Sequence, residues 1–67
     1  MPFIQATIIK GRSDKQKQAF FEKVTAAAAE TLSVKPKQVR ITLNEVLPEH
    51  WAVGGVSKAD LDTKKVQ

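Results

Sequence analysis

The chain contains no cysteine, so disulfides and thiolate metal sites are excluded together. A single histidine, His50, cannot assemble a metal site by itself. Apolar runs are short, and none approaches the roughly 20 residues that a membrane-spanning helix needs. The first of them is interrupted by Gln5 and Thr7 and has no basic lead, so it does not read as a secretory signal. Like charges never gather into a block of five or six, and the three phenylalanines and one tryptophan are not interleaved with a basic patch. These absences argue against a membrane or nucleic-acid partner. A soluble, cytoplasmic chain is expected.

What is present is small. Sixty-seven residues make one domain, 1–67. A chain of this size gains little net stability from its own core. With disulfides and metals removed from the usual remedies, self-association is left, and a hydrophobic content of 42% supplies material for both a core and subunit contacts. Eleven Lys and Arg against seven Asp and Glu leave a net charge of +4, which suits anionic partners: nucleic acid, anionic lipid or small carboxylates.

Residues Phe3 to Ile9 are β-branched and apolar and read as a strand. Phe3 and Ile9 fall on one face and Ile4, Ala6 and Ile8 on the other, which predicts a strand covered on both sides, as in a parallel sheet. Gly11 breaks the run. Ser13, with Gln16 three residues on, has the spacing of a capping box, and Asp14 suits a helix start. A helix is predicted over Asp14 to Leu32, with Phe20, Phe21, Val24, Ala27, Ala28, Thr31 and Leu32 on one stripe and Lys15, Lys17, Glu22, Lys23 and Glu30 pointing elsewhere. Pro36 lies in a polar exit loop. Val39 to Leu47 alternates as a second strand, ended by Pro48, and Glu49 to Trp51 make a short turn. Ala52 to Val56 reads as a small hairpin turning on Gly54-Gly55. The polar tail from Ser57 has weak patterning and is expected to fray or to dock on another subunit. The fold class is therefore α+β: a βαβ unit with parallel strands and a right-handed crossover, followed by a short C-terminal hairpin, assembled as an oligomer.

Pro2 stands directly behind Met1 at the head of the first strand. Initiator methionine is commonly trimmed before a small residue, and trimming here exposes a secondary amine. Such an amine, held neutral near pH 7, is a general base or nucleophile. With Met1 attached, the same nitrogen is an amide and can take no proton.

Pro2 joins three other features: Arg12 just after the first strand, Arg40 at the start of the second, and Trp51 before the Gly-Gly turn. The chain resembles the 4-oxalocrotonate tautomerase family, the small-subunit branch of the tautomerase superfamily. The matching stretches are Pro2-Phe3-Ile4-Gln5, Gly11-Arg12-Ser13-Asp14 with Gln16-Lys17, Val39-Arg40, and Gly54-Gly55 after an aromatic, without a gap from Pro2 to about Gly55. The resemblance implies an isomerase that needs no cofactor and no metal. Pro2 would be the general base, and Arg12 and Arg40 the substrate-binding arginines, with Arg40 nearer the developing oxyanion. Trp51 stands where the family has phenylalanine. Implied substrates are small unsaturated dicarboxylates such as 2-hydroxymuconate, converted from enol to conjugated ketone. The implied assembly is a homohexamer with active sites shared between subunits.

The chemistry of the residues agrees. Two separated guanidiniums suit a substrate with a carboxylate at each end, and an arginine beside a developing oxyanion lowers the barrier. Two cations and an aromatic wall also disfavour the protonated amine, so the groups that bind substrate would tune the base. Taken singly, each residue has an ordinary alternative. Arg12 can be a solvated arginine, Arg40 a partner for Glu45 or a neighbour's Asp14, Trp51 a packing residue, and Gly54 and Gly55 mere turn formers; His50 is assigned no role. The tryptophan, the Pro48-Glu49 pair and the tail depart from the family pattern. The superfamily also contains 3-chloroacrylate dehalogenases, hydrating enzymes that use the proline as an acid beside a carboxylate, which draws attention to Glu45 and Glu49. Outside enzymes, the alternatives are a small basic nucleic-acid-binding oligomer and an inactive subunit of a mixed assembly.

Overall fold

The β-branched N-terminal run forms β1 (Phe3–Ile9), and the capped apolar segment that follows forms α1 (Asp14–Leu32). A 3₁₀ turn at Pro36–Gln38 leads into β2 (Arg40–Val46). A second 3₁₀ turn, Pro48–His50, precedes β3 (Ala52–Val53), β4 (Val56–Ser57) and α2 (Lys58–Lys65). The computed structural model describes residues 1–65.

β1 and β2 pair in parallel, with Phe3 opposite Arg40 and Ile9 opposite Val46. The ladder continues at both ends. The Arg40 N–H donates to the Pro2 carbonyl at 3.0 Å, and the Lys10 N–H donates to the Val46 carbonyl at 2.8 Å. The capping box forms as its spacing predicts: the Ser13 hydroxyl accepts from the Gln16 N–H at 3.1 Å, and the Gln16 side-chain oxygen accepts from the Ser13 N–H at 3.0 Å. At the other end of α1, Ser33 stops the helix in the left-handed conformation, φ 56°. Gly54 and Gly55 turn the β3–β4 hairpin with φ of 62° and 84°, as a two-residue turn with positive φ at both centres requires.

Three expectations change. Of the tail, Lys58–Lys65 does not fray, because α2 forms there, and Val66 and Gln67 lie outside the described residues. The Ser57 hydroxyl accepts from the Asp60 N–H at 3.2 Å, Lys58 pairs with Asp62 four residues on at 2.8 Å, and the helix packs on the Pro48–His50 turn. The apolar stripe of α1 is only partly covered. Phe21, Val24 and Ala28 are half-buried, while Phe20, Ala27, Thr31 and Leu32 are exposed. A 19-residue helix about 28 Å long overhangs a seven-residue strand pair of about 23 Å. Finally, one protomer covers a single face of the sheet. Ile4, Ala6 and Ile8 lie half-buried under α1, but Phe3 on the opposite face is 61% exposed.

The chain by itself has no closed interior. None of its described residues is fully buried, and Leu32 and Val53 are 57% and 61% exposed. Its accessible surface is 5302 Å², against about 4,200 Å² for a compact monomer of this mass. Its radius of gyration is 15.5 Å, against about 11 Å for a compact 67-residue domain. Two parallel strands with both outer edges unpaired complete the picture of a surface built to be covered.

Two outcomes follow. Sedimentation at micromolar concentration should show an oligomer, with secondary structure lost on dilution as it dissociates; a stable folded monomer would contradict this. Replacing Ser33 with glycine should stabilise the protein by about 0.5–1 kcal/mol, since only glycine holds positive φ without a Cβ clash. Chemical denaturation of Ser33→Gly checks it, and an unchanged or lowered midpoint would show that the cap carries no strain.

Candidate active site

Parallel pairing sorts the sequence-predicted site residues by strand end. Pro2 and Arg40 meet at the N-terminal end of the sheet, joined by the hydrogen bond from the Arg40 N–H to the Pro2 carbonyl. Met1 in front of Pro2 is 79% exposed, so the bond that would have to be cut lies open to solvent. The Arg40 guanidinium is steadied by the turn before β2, its Nη1 donating to the Lys37 carbonyl at 3.2 Å. Arg40 is exposed, on the sheet face that α1 does not cover.

Arg12 and Trp51 follow the C-terminal ends of β1 and β2. Arg12 therefore lies a full strand length from Pro2 of the same chain, about 23 Å at the usual rise. Trp51 is half-buried at the start of the hairpin segment, its carbonyl accepting from the Lys58 N–H. A six-carbon dicarboxylate cannot reach from Pro2 to Arg12 of one protomer. The chain thus brings Pro2 and Arg40 together and holds Arg12 and Trp51 apart from them. His50 is exposed, in the 3₁₀ turn before the hairpin.

Arg12 borders an open pocket of about 210 Å³ between the first turns of α1 and the sheet, lined also by Ile8, Gln16, Lys17, Phe20 and Leu43. The Arg12 guanidinium has no hydrogen bond or ion pair among the described residues. Both carboxylates near it in sequence or register are engaged elsewhere. Lys17 Nζ lies 3.1 Å from Glu45 Oε1 and 3.4 Å from Asp14 Oδ1. The ordinary alternative for Arg40, an ion pair with Glu45, does not form within the chain, and Lys17, expected to point away from the apolar stripe, is turned in against β2 with only 23% of its side chain exposed. Asp14 stands at i−3 from Lys17, a spacing visible in sequence. The tie to Glu45 spans 28 residues and depends on the fold. Among the described residues, no group of three or more His, Asp or Glu gathers as a metal site, and no helix is long and apolar enough to cross a membrane.

The hydrogen bond to Glu45 holds the Lys17 ammonium above the ordinary lysine range, and Asp14 adds to the effect. A lysine with a raised folded pKa contributes stability that is fully present below its unfolded pKa and is lost as pH rises through the folded value. The difference in melting temperature between wild type and Lys17→Gln should therefore persist through neutral pH and shrink above pH 10.5. A difference that grows with pH across that window would contradict the tie.

Comparison with known proteins gives a consistent result. The family model described as "Tautomerase enzyme" matches residues 2–61. The 2-hydroxymuconate tautomerase of Comamonas testosteroni is 41% identical over 61 residues, covering 91% of this chain and 97% of the relative. Among solved structures, a 4-oxalocrotonate tautomerase isozyme from Methylibium petroleiphilum superposes with a TM-score of 0.91 at 38% identity, over 94% of this chain and 98% of the other. A chain of a heterohexamer 4-oxalocrotonate tautomerase from Chloroflexus aurantiacus J-10-fl superposes with a TM-score of 0.87 at 41% identity, over 91% and 98%.

Proposed function

The chain belongs to the tautomerase family, and from that membership we propose that it is a cofactor-free isomerase using Pro2, freed by removal of Met1, as general base on small unsaturated 2-hydroxy dicarboxylates such as 2-hydroxymuconate. The observation that carries the reading is the pairing of Pro2 with Arg40 at one strand end, directly behind an exposed methionine. The neutral secondary amine takes the proton of the enol and returns it to carbon as the conjugated ketone forms. Arg40, beside the amine, faces the oxygen on which negative charge grows, so its contribution increases in the transition state. Arg12, with a free guanidinium, binds the distal carboxylate bidentately. Trp51, at the same strand end as Arg12 and supplied by another subunit, forms an apolar wall that limits water around the amine.

Because Arg12 and Pro2 of one chain stand a strand length apart, the working site takes Pro2 and Arg40 from one subunit and Arg12 from another. A homohexamer is the assembly proposed, in keeping with the heterohexamer known from C. aurantiacus.

The test begins with intact mass, which should show Met1 removed. The trimmed protein should convert 2-hydroxymuconate with a rate that rises with pH as the amine loses its proton and then levels off. A folded protein with one extra residue before Pro2 should lose roughly 10²–10⁴-fold in kcat; equal turnover by that blocked protein would end the role of Pro2. Arg12→Ala should raise KM by roughly 10-fold or more with kcat little changed, the loss of a charge-assisted contact made equally in both states. Arg40→Ala should lower kcat by about 10²-fold as well. Wild-type kcat/KM in both arginine variants would remove them from the site.

A further inference from the structure

We infer that Lys17 is a positioning residue: by occupying Glu45 and Asp14 it keeps the Arg12 guanidinium free for the distal carboxylate of the substrate. The inference rests on the reading of Arg12 given above and adds a residue to it. Its grounds are geometric. Arg12 and Lys17 border the same pocket, and no other lysine or arginine does. One ammonium spans two carboxylates, with Glu45 Oε1 at 3.1 Å and Asp14 Oδ1 at 3.4 Å. Arg12 is left with no partner among the described residues.

The alternative pairing would be costly to function. An arginine is the better bidentate partner for a carboxylate. Asp14, fully exposed and two residues from Arg12, is a weak competitor. Glu45, with its side chain 27% exposed, is the stronger one. Lys17 reaches it from the helix face directly above the strand, and its ammonium stays charged throughout the pH range in which the amine of Pro2 works. Removing that charge leaves Glu45, which stands opposite the pocket-lining Ile8 in the sheet register, uncompensated by Lys17, and the remaining cation of the pocket is Arg12 itself. Substrate must then displace an internal ion pair before it binds.

The decisive variant is Lys17→Gln, which keeps a hydrogen-bond donor toward Glu45 but withdraws the charge. On 2-hydroxymuconate it should raise KM about threefold to fivefold with kcat unchanged, the size expected for competition from a partly exposed ion pair. The double variant Lys17→Gln/Glu45→Gln should return KM to the wild-type value, and Lys17→Arg should leave it there. On 2-hydroxy-2,4-pentadienoate, which has no distal carboxylate, Lys17→Gln should match wild type. A lysine that merely ties helix to strand would lower thermal stability without this substrate dependence and without rescue by Glu45→Gln. An unchanged KM for Lys17→Gln, a rise that the double variant does not reverse, or failure of Lys17→Gln to assemble overturns the inference. Wild-type protein inactive on 2-hydroxymuconate, by contrast, would fault the reading of the site itself.

Discussion

The parallel pairing of β1 with β2 governs what this chain can do alone and what it cannot. Parallel strands start at the same end. Residues that precede or open the strands, Pro2 and Arg40, are brought together, and residues that follow them, Arg12 and Trp51, are carried to the opposite end. An antiparallel pair would have mixed the two groups. The 19-residue helix between the strands makes the parallel arrangement possible, since a crossover of that length is what returns the chain to the starting edge. Capping by Ser13 and Gln16 sets where that helix begins, and so sets the position of Arg12 one residue before the cap.

The same architecture leaves the protomer open. A two-stranded sheet under one helix covers one face, and the described residues include none that is fully buried. Phe3, Leu32 and Val53 remain in water until something covers them, and at about 25 cal/mol per Å² of apolar area such exposure is a strong drive to associate. Assembly then serves two ends at once. It covers apolar surface, and it can bring the Arg12 end of one chain to the Pro2 end of another.

Much of this was legible in the residues. The bounds of β1 and α1, the capping box and the Gly54-Gly55 turn each depend on neighbours within four positions, where sequence patterns carry physical meaning. Pro2 was visible because a removable methionine precedes it. What escaped were contacts set by the fold. The helical pattern places Lys17 off the apolar stripe, and nothing within a helical turn shows Glu45, 28 residues away, waiting on β2. The covered width of the α1 stripe was overestimated because sheet width is not written in the helix. The tail lacked an apolar pattern, and its helix depends on the Ser57 hydroxyl, the Lys58–Asp62 pair and packing on the Pro48–His50 turn.

Complementation between subunits tests whether a working site takes one end from each of two copies. Two impaired parents are made, one with its N-terminal amine blocked by an added residue, the other carrying Arg12→Ala, and both are assayed at substrate concentrations well below the wild-type KM, where a KM raised roughly 10-fold leaves Arg12→Ala at about a tenth of wild-type activity. They are unfolded, mixed in equal amounts and refolded together, and turnover of 2-hydroxymuconate is measured beside each parent refolded alone. Activity in the mixture should lie severalfold above the sum of the parents, because some sites then join an intact Pro2 from one chain to an intact Arg12 from another. Activity no greater than that sum, in mixed oligomers shown to have formed, would mean that each chain builds its site by itself and would contradict the account.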